Sequence, residues 1–294
     1  MGANLKEVRL RIASVKSTMQ ITKAMKMVSA SKLRRATDKI VQIRPYANQL
    51  NEVLKNIVSN LQGDLNLSLA ENRELKKILI VVVTGDKGLC GGFNANVVKL
   101  TKNLINEKYA DLNKQGGVEL LFIGRKGIDG LKSFEGEKNR TFTNILGNMT
   151  FESVSKVAEH VIALFQKKDY DRIDVVYNMF KNAAVQVPTV EQYLPIETTP
   201  AEKGAASADY IFEPGKEEIL ETLIPNILKT QFYRFLLDSN ASEHGSRMTA
   251  MDKATDNANE LLKDLSVMYN RARQAAITTE LSEIVSGAAA LSAE

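Results

Sequence analysis

Four glycines, Gly85, Gly88, Gly91 and Gly92, follow the apolar run Ile78–Val83. A strand that empties into a glycine-rich turn is where a phosphate cradle would be built. The spacing fits neither of the two common cradles. One needs Lys and then Ser or Thr after its last glycine, and here Gly92 is followed by Phe93; the other, G-x-G-x-x-G, does not occur. The glycines therefore read as a sharp backbone turn at the end of a strand. Cys90 lies in the same loop and is the only cysteine, while His160 and His244 are the only histidines. A nucleophile–base pair would require the fold to bring Cys90 and His160 together, and a lone cysteine after a strand is more often a small buried hydrophobe. One cysteine excludes an internal disulfide and a Cys-rich zinc module, and two histidines make a multi-histidine metal site hard to build. The chemistry-bearing residues thus predict no catalytic set, no metal and no cofactor.

The elements around this loop predict a small α/β domain over residues 75–208. Residues 76–105 read as a buried strand, the glycine loop and a helix. Strand signals recur at Glu119–Ile123 and Arg172–Met179, with a helix of good period at Ser153–Lys167. Gln186–Leu194 carries Pro188 and is predicted to be an edge strand. The order fits a doubly wound, Rossmann-like sheet. A polar stretch, Pro195–Ala208, then leads back towards a final helix.

The two ends of the chain predict long helices, over 1–62 and 213–290. From Leu5 to Leu61, positions spaced alternately three and four apart form an unbroken heptad seam, apolar except at Thr22, Lys26 and Ser29. A helix of that length would reach roughly 85 Å, kinked slightly at Pro45 because the heptad resumes in phase beyond it. Met25, Met27 and Val28 lie off the seam, so apolar surface wraps part of the way round that section. Residues 246–286 contain no Gly or Pro, and Met251, Ala254, Ala258, Leu261, Leu265, Met268, Ala272 and Ala275 form a second, thinner seam. The helical pattern begins near Glu217, with Pro225 bending an early turn and Gly245 weakening a later one. Two such helices most simply make an antiparallel coiled coil. The last 21 residues, Gln274–Glu294, hold no Lys or Arg, and Ile277, Leu281, Ile284, Ala288 and Leu291 carry an apolar stripe to the end. An apolar sleeve supplied by something else is expected around that tip.

Charge sorts with position more than with sum. The net charge is only +4, yet the first sixty residues carry +9 and residues 213–294 carry −5, so the two ends can pair with each other. The basic helix could be imagined on nucleic acid, but its charges are interleaved with a full heptad and no aromatic precedes Tyr46. A nucleic-acid partner is not expected. No apolar run is long enough to cross a bilayer. The opening MGANLKEVRLRIASVK lacks a signal's apolar core, and Lys6 stands where a myristoylation motif needs Ser or Thr. A mature, unexported, soluble protein is expected.

Four stretches also carry a resemblance to the gamma-subunit family of F-type ATP synthases. They are IASVKSTMQITKAMKMVSASK at 12–32, DKGLCGGFN at 86–94, ASEHGSRMTAMDKATDNA at 241–258 and RARQAAITTELSEIVSGA at 271–288. The resemblance implies a non-catalytic rotor shaft, whose coiled coil enters a ring of alpha and beta subunits and whose globular domain meets the epsilon subunit and the membrane c-ring. It implies that Lys23 and Met25 face the same beta-subunit region as Arg273 and Gln274. It also implies a partner contact at Lys87 and a bearing around the tip residues Ile277, Leu281, Ile284 and Leu291. Gly85 and Lys87 stand where the family commonly has Ser and Arg, and a Lys keeps the charge but loses the planar fork of donors. The redox-regulated plastid form carries an inserted cysteine pair that Cys90 alone cannot supply. A peripheral place on the cytoplasmic face of a bacterial cell membrane follows from the resemblance.

Overall fold

The computed structural model describes residues 5–60, 69–196 and 216–291, so most of the polar stretch 195–208 lies outside the described residues. The chain divides into two units, one holding residues 30–247 and the other pairing residues up to Ser29 with those from Met248 onward.

Residues 30–247 contain a five-stranded sheet. Its strands are β1 (Ile78–Val83), β2 (Val118–Ile123), β3 (Lys138–Asn139), β4 (Arg172–Phe180) and β5 (Gln186–Leu194). They lie in the order β3-β2-β1-β4-β5, with β5 antiparallel to β4 and the rest parallel. Ile-Leu-Ile-Val-Val-Val makes β1 because branched side chains suit a pleat that is covered on both faces. Alternate residues serve opposite cores. Leu79, Val81 and Val83 pack with α5 (Phe151–Gln166) and with Phe232, Phe235 and Leu236 of the last helix, α6 (Lys216–Leu291). Ile78, Ile80 and Val82 pack with Val97 and Ile105 of α2 (Phe93–Glu107). Pro188 sits opposite Asn178 on the edge strand, where its missing N–H costs no ladder bond to a further strand.

Helix α5 starts two residues earlier than its apolar period indicates. Thr150 and Ser153 form a reciprocal capping box, with the Ser153 N–H donating to Thr150 Oγ1 at 3.2 Å and the Thr150 N–H to Ser153 Oγ at 3.1 Å. The short elements α3 (Ala110–Lys114), α4 (Arg125–Gly130) and the two-residue β3 carry too few residues for a periodic signal. Between β2 and α4, Gly124 has φ +90°, and a Cβ there would lie 2.0 Å from the Thr84 carbonyl oxygen. Only glycine fits this turn.

Helix α1 (Leu5–Asn60) runs through Pro45, and α6 runs through Pro225 and Gly245. Gly245 is not a weak point. A Cβ there would lie 3.2 Å from the Ala183 carbonyl oxygen, so its bareness lets α6 lie close to the β4–β5 turn. Within this unit the seam residues Leu33, Ala36, Ile40 and Ala47 of α1 are buried.

In the other unit, the first part of α1 pairs with the last part of α6. Arg9 Nη2 donates to Tyr269 Oη at 3.1 Å, Thr22 and Thr255 hydroxyls meet at 2.9 Å, and Lys26 pairs with Asp252. Partner numbers fall along α6 as they rise along α1, so the two run antiparallel. Every predicted seam position of α1 from Leu5 to Ser29 is buried or half-buried. The α6 seam needs correction. Met251, Ala258, Leu265 and Ala272 lie inward as expected, but the alternate positions are Thr255, Leu262, Tyr269 and Ala276, while Leu261, Met268 and Ala275 are exposed and Ala254 flanks the seam. Thr255 and Tyr269 turn inward because their polar atoms find partners on α1.

Candidate functional site

The glycine loop is locked onto α6. Ser246 Oγ donates to the Cys90 carbonyl oxygen at 2.6 Å, and Arg247, paired with Glu243 at 2.6 Å, reaches the Gly88 carbonyl oxygen at 3.4 Å. Glu243 and Arg247 stand one helical turn apart, the spacing at which such a pair closes on a helix surface. Asn94, in the first turn of α2, ties the loop internally. Its Oδ1 accepts from the Gly85 N–H at 2.9 Å, and its Nδ2 donates to Cys90 Sγ at 3.1 Å. A Cβ on Gly85 would lie 2.9 Å from the Glu243 carboxyl carbon. A side chain at this position would press on that carboxylate.

Two of the loop's carbonyls accept from Ser246 and Arg247 and its Gly85 N–H donates to Asn94, so the loop is a clasp onto α6. Burial pushes the Cys90 thiol above its ordinary pKa, which keeps it protonated and a poor nucleophile. His160 of α5 stacks edge-on against Phe142. Since α5 and α2 cover opposite faces of the sheet, Cys90 and His160 are not brought together. Among the described residues, no cluster of His, Cys, Asp and Glu could hold a metal, and no helix is long and apolar enough to cross a membrane. The Lys87 side chain is exposed, and Leu89 at the loop's apex is 67% exposed with φ +61°.

The helix pair holds the remaining candidates, at two levels. Lys23 is exposed and Met25 half-buried on α1; Arg273 and Gln274 are exposed on α6. The antiparallel register sets Lys23 and Met25 beside Asp252–Thr255. Arg273 lies about five turns further along α6, roughly 28 Å away at 1.5 Å per residue. The four expected contact residues therefore lie at two levels of the helix pair. Two helices that run oppositely bring low numbers of one to high numbers of the other, and Lys23 is too far along α1 to meet Arg273. Near Lys23, Ile21, Met27 and Val28 are all more than half exposed. From Ile277 to Ala289 every residue of α6 is exposed, including the tip residues Ile277, Leu281 and Ile284. The side chain of Leu291 lies outside the described residues.

Glu243, Ser246 and Arg247 were present in the sequence motif at 241–258 but carried no role there. The i, i+4 spacing of Glu243 and Arg247 was the available signal; the loop contact depends on residues more than 150 positions away.

The sequence matches the ATP-synt family, described as ATP synthase, over residues 4–291. It is 53% identical to an ATP synthase gamma chain of Cytophaga hutchinsonii over 98% of this chain and 99% of that one. It is 51% identical to an ATP synthase gamma chain of Flavobacterium johnsoniae, again over 98% and 99%. Among solved structures, a chain of the Tetrahymena thermophila mitochondrial ATP synthase central stalk and c-ring is 28% identical, with a TM-score of 0.58 over 80% of this chain and 99% of that chain. A chain of the Euglena gracilis mitochondrial ATP synthase has the same fold, with a TM-score of 0.67 at 21% identity over 98% and 94%.

Proposed function

This chain belongs to the ATP synthase gamma-chain family, and we propose that its helix pair works as a coiled-coil shaft, turned inside a ring of alpha and beta subunits. The subunit is non-catalytic, and the observation that carries its role is the contrast along the helix pair. Its inward seam is satisfied, while apolar side chains such as Ile21, Val28 and Val267 remain exposed on it. Ile21 and Val28 lie two turns apart on one face of α1, and exposed apolar side chains so placed suit a surface that a partner covers.

A shaft of two unlike helices presents a different face to each neighbour at each orientation. A contact drives a neighbour between open and closed forms only by binding the two forms unequally. A swing from 1:99 to 99:1 needs about 5.5 kcal/mol of such difference. A few apolar side chains, at about 1.5–3 kcal/mol each when fully buried, are of the right size. In this reading Lys23 and Met25 meet beta subunits at one level, and Arg273 and Gln274 at another. Ile277, Leu281, Ile284 and Leu291 form the tip held in an apolar bearing. Residues 1–62 and 213–290 act as the shaft and residues 75–208 as the globular part. That part, with Lys87 in its loop, meets a ring partner and joins the epsilon subunit and the c-ring at the cytoplasmic face of a bacterial membrane.

Purification through a tag on residues 75–208, from gently solubilised membranes, tests this. The expected result is one copy of this chain with three copies each of two larger nucleotide-binding subunits. Recovery of the chain alone, without ATPase activity, would remove the machine from the proposal. Arg273→Ala in reconstituted vesicles is expected to impair ATP synthesis, and unchanged synthesis would release Arg273 from its role.

A further inference from the structure

We infer that Arg44 is the key that makes α1 turn with the α/β unit, through a junction it forms with Asp238 of α6 and the end of β4. The inference rests on the shaft reading and adds a positioning residue to it.

Arg44 Nη2 donates to Asp238 Oδ1 at 2.5 Å and to the Phe180 carbonyl oxygen at 2.5 Å. The Asp238 side chain is 2% exposed and that of Arg44 37% exposed. One guanidinium thus joins three elements: α1, α6 and the sheet. Among the described side chains of α1 at 30–53, no other one hydrogen-bonds to the sheet or to α6. The other inward residues there, Leu33, Ala36, Ile40 and Ala47, are apolar. Apolar packing holds surfaces together but is non-directional. Both bonds leave Arg44 Nη2, whose two N–H groups are held in the guanidinium plane, so they fix orientation and register.

The position is mechanically apt. Pro45 follows Arg44 and has no N–H to donate to the Val41 carbonyl, so α1 lacks a backbone bond at this turn. A twist applied to the helix would concentrate there, and the Arg44 junction braces that turn from outside. Helix α6 needs no such help, because it has its own tie to the sheet. Arg234 Nη2 pairs with Glu191 Oε2 of β5 at 2.7 Å, and Tyr177 of β4 donates to the same carboxylate. Loss of Arg44 should therefore loosen α1 alone and leave α6 driven. Burial raises the Asp238 pKa while the Arg44 and Arg234 charges oppose that rise. Removing Arg44 leaves a buried acid without its ion partner.

The test is made in the assembled complex in sealed vesicles, reading ATP hydrolysis and ATP-driven ion uptake side by side. Arg44→Met is expected to assemble, to keep hydrolysis, and to lower ion uptake per ATP about threefold or more, within the range by which a coupling element acts. Arg44→Lys, which keeps the charge and loses the planar donor geometry, is expected in between. Arg44→Met combined with Asp238→Leu replaces the ion pair with an apolar pair, a change that is often neutral or stabilising for folding. It is expected to assemble as well as the wild type and still slip. A merely structural junction would lower hydrolysis and uptake together and would be repaired by the apolar pair. Wild-type coupling in Arg44→Met or in the double variant overturns the inference, as does loss of assembly in all three variants. Failure of the shaft reading is separate: the wild-type chain itself would then show no coupled uptake.

Discussion

The two units bury their apolar residues in opposite styles. In residues 30–247, β1 is wholly covered on both faces, and Phe232, Phe235 and Leu236 of α6 complete a core that needs nothing from outside. In the helix pair the seam is narrow, closed by alanines and by a pair of threonine hydroxyls, and Ile21, Val28, Val267 and Met268 remain more than half exposed. Two helices can cover only one stripe of each other. The sheet of the α/β unit is thus covered on both faces, whereas the helix pair buries only its seam and leaves apolar side chains open on its flanks.

If that contrast is right, the largest stability effects lie in the α/β unit. Phe235 is fully buried, with its ring 4.9 Å from that of Tyr177 and 6.3 Å from that of Tyr193. Phe235→Ala should cost about 3–5 kcal/mol, read as a lowered denaturation midpoint of the whole unit. A shift below about 1 kcal/mol would mean that the core collapses around the gap and is less rigid than its burial implies.

His244 gives the next effect. It sits on α6 with Nδ1 buried and, among the described residues, without a hydrogen-bond partner, and charged groups facing it are Arg247 and, on α1, Lys32. Burial, then these cations, lower its pKa to about 4. The fold therefore holds His244 neutral, while the unfolded chain takes up a proton near its ordinary pKa of about 6.5. Stability from this group is fully present above pH 6.5 and is lost as the pH falls towards 4, at about 1.4 kcal/mol per pH unit. Urea titrations of the wild type and of His244→Gln across pH 4–7 check this, since the variant should flatten the slope. Equal slopes would place the acid sensitivity elsewhere.

Much of this division was readable beforehand, for physical reasons. An all-apolar branched run, a proline on an edge strand and a 3-4 repeat on α1 each report a local cause, and β1, β5 and the inward face of α1 followed from them. The α6 seam was misjudged because Ala254 and Met268 score as apolar and Thr255 and Tyr269 do not, whereas a hydroxyl that finds a partner across the pair can turn inward. The Arg44–Asp238 junction left no local trace, since its members are 194 positions apart. The clasp of the glycine loop by Glu243, Ser246 and Arg247 is non-local in the same way. Local signals also go unread where they are polar: the Thr150–Ser153 capping box and the Glu243–Arg247 spacing leave no mark on an apolar period.

Smaller effects belong to the helix pair. Leu265 is buried in its seam between Ala258 and Ala272. Leu265→Ala should cost about 2 kcal/mol, at the low end for such truncations because half the surroundings are already open to water. The loss should appear as faster hydrogen exchange in residues 250–280, with the α/β unit unmoved. Equal loss of protection in β1 would show that the two units unfold as one and would end the contrast.

The finest probe is the hydroxyl pair. Thr22 Oγ1 lies 3.0 Å from the Met19 carbonyl oxygen, Thr255 Oγ1 lies 2.7 Å from that of Met251, and the two hydroxyls are 2.9 Å apart. Two protons serve three contacts, so one hydroxyl gives its proton across the pair while the other gives its own to its helix backbone. Thr22→Val or Thr255→Val alone leaves the other hydroxyl, half-buried on Thr255 or buried on Thr22, facing a methyl group and should cost about 1 kcal/mol. The double variant replaces both groups by an apolar pair of the same shape, and its stability should return to within about 0.5 kcal/mol of the wild type. Such a cycle gives a coupling of about 1 kcal/mol or more. Additive losses would mean that each hydroxyl serves only its own backbone, and that the polar stretch of the seam is not held together by its own contacts.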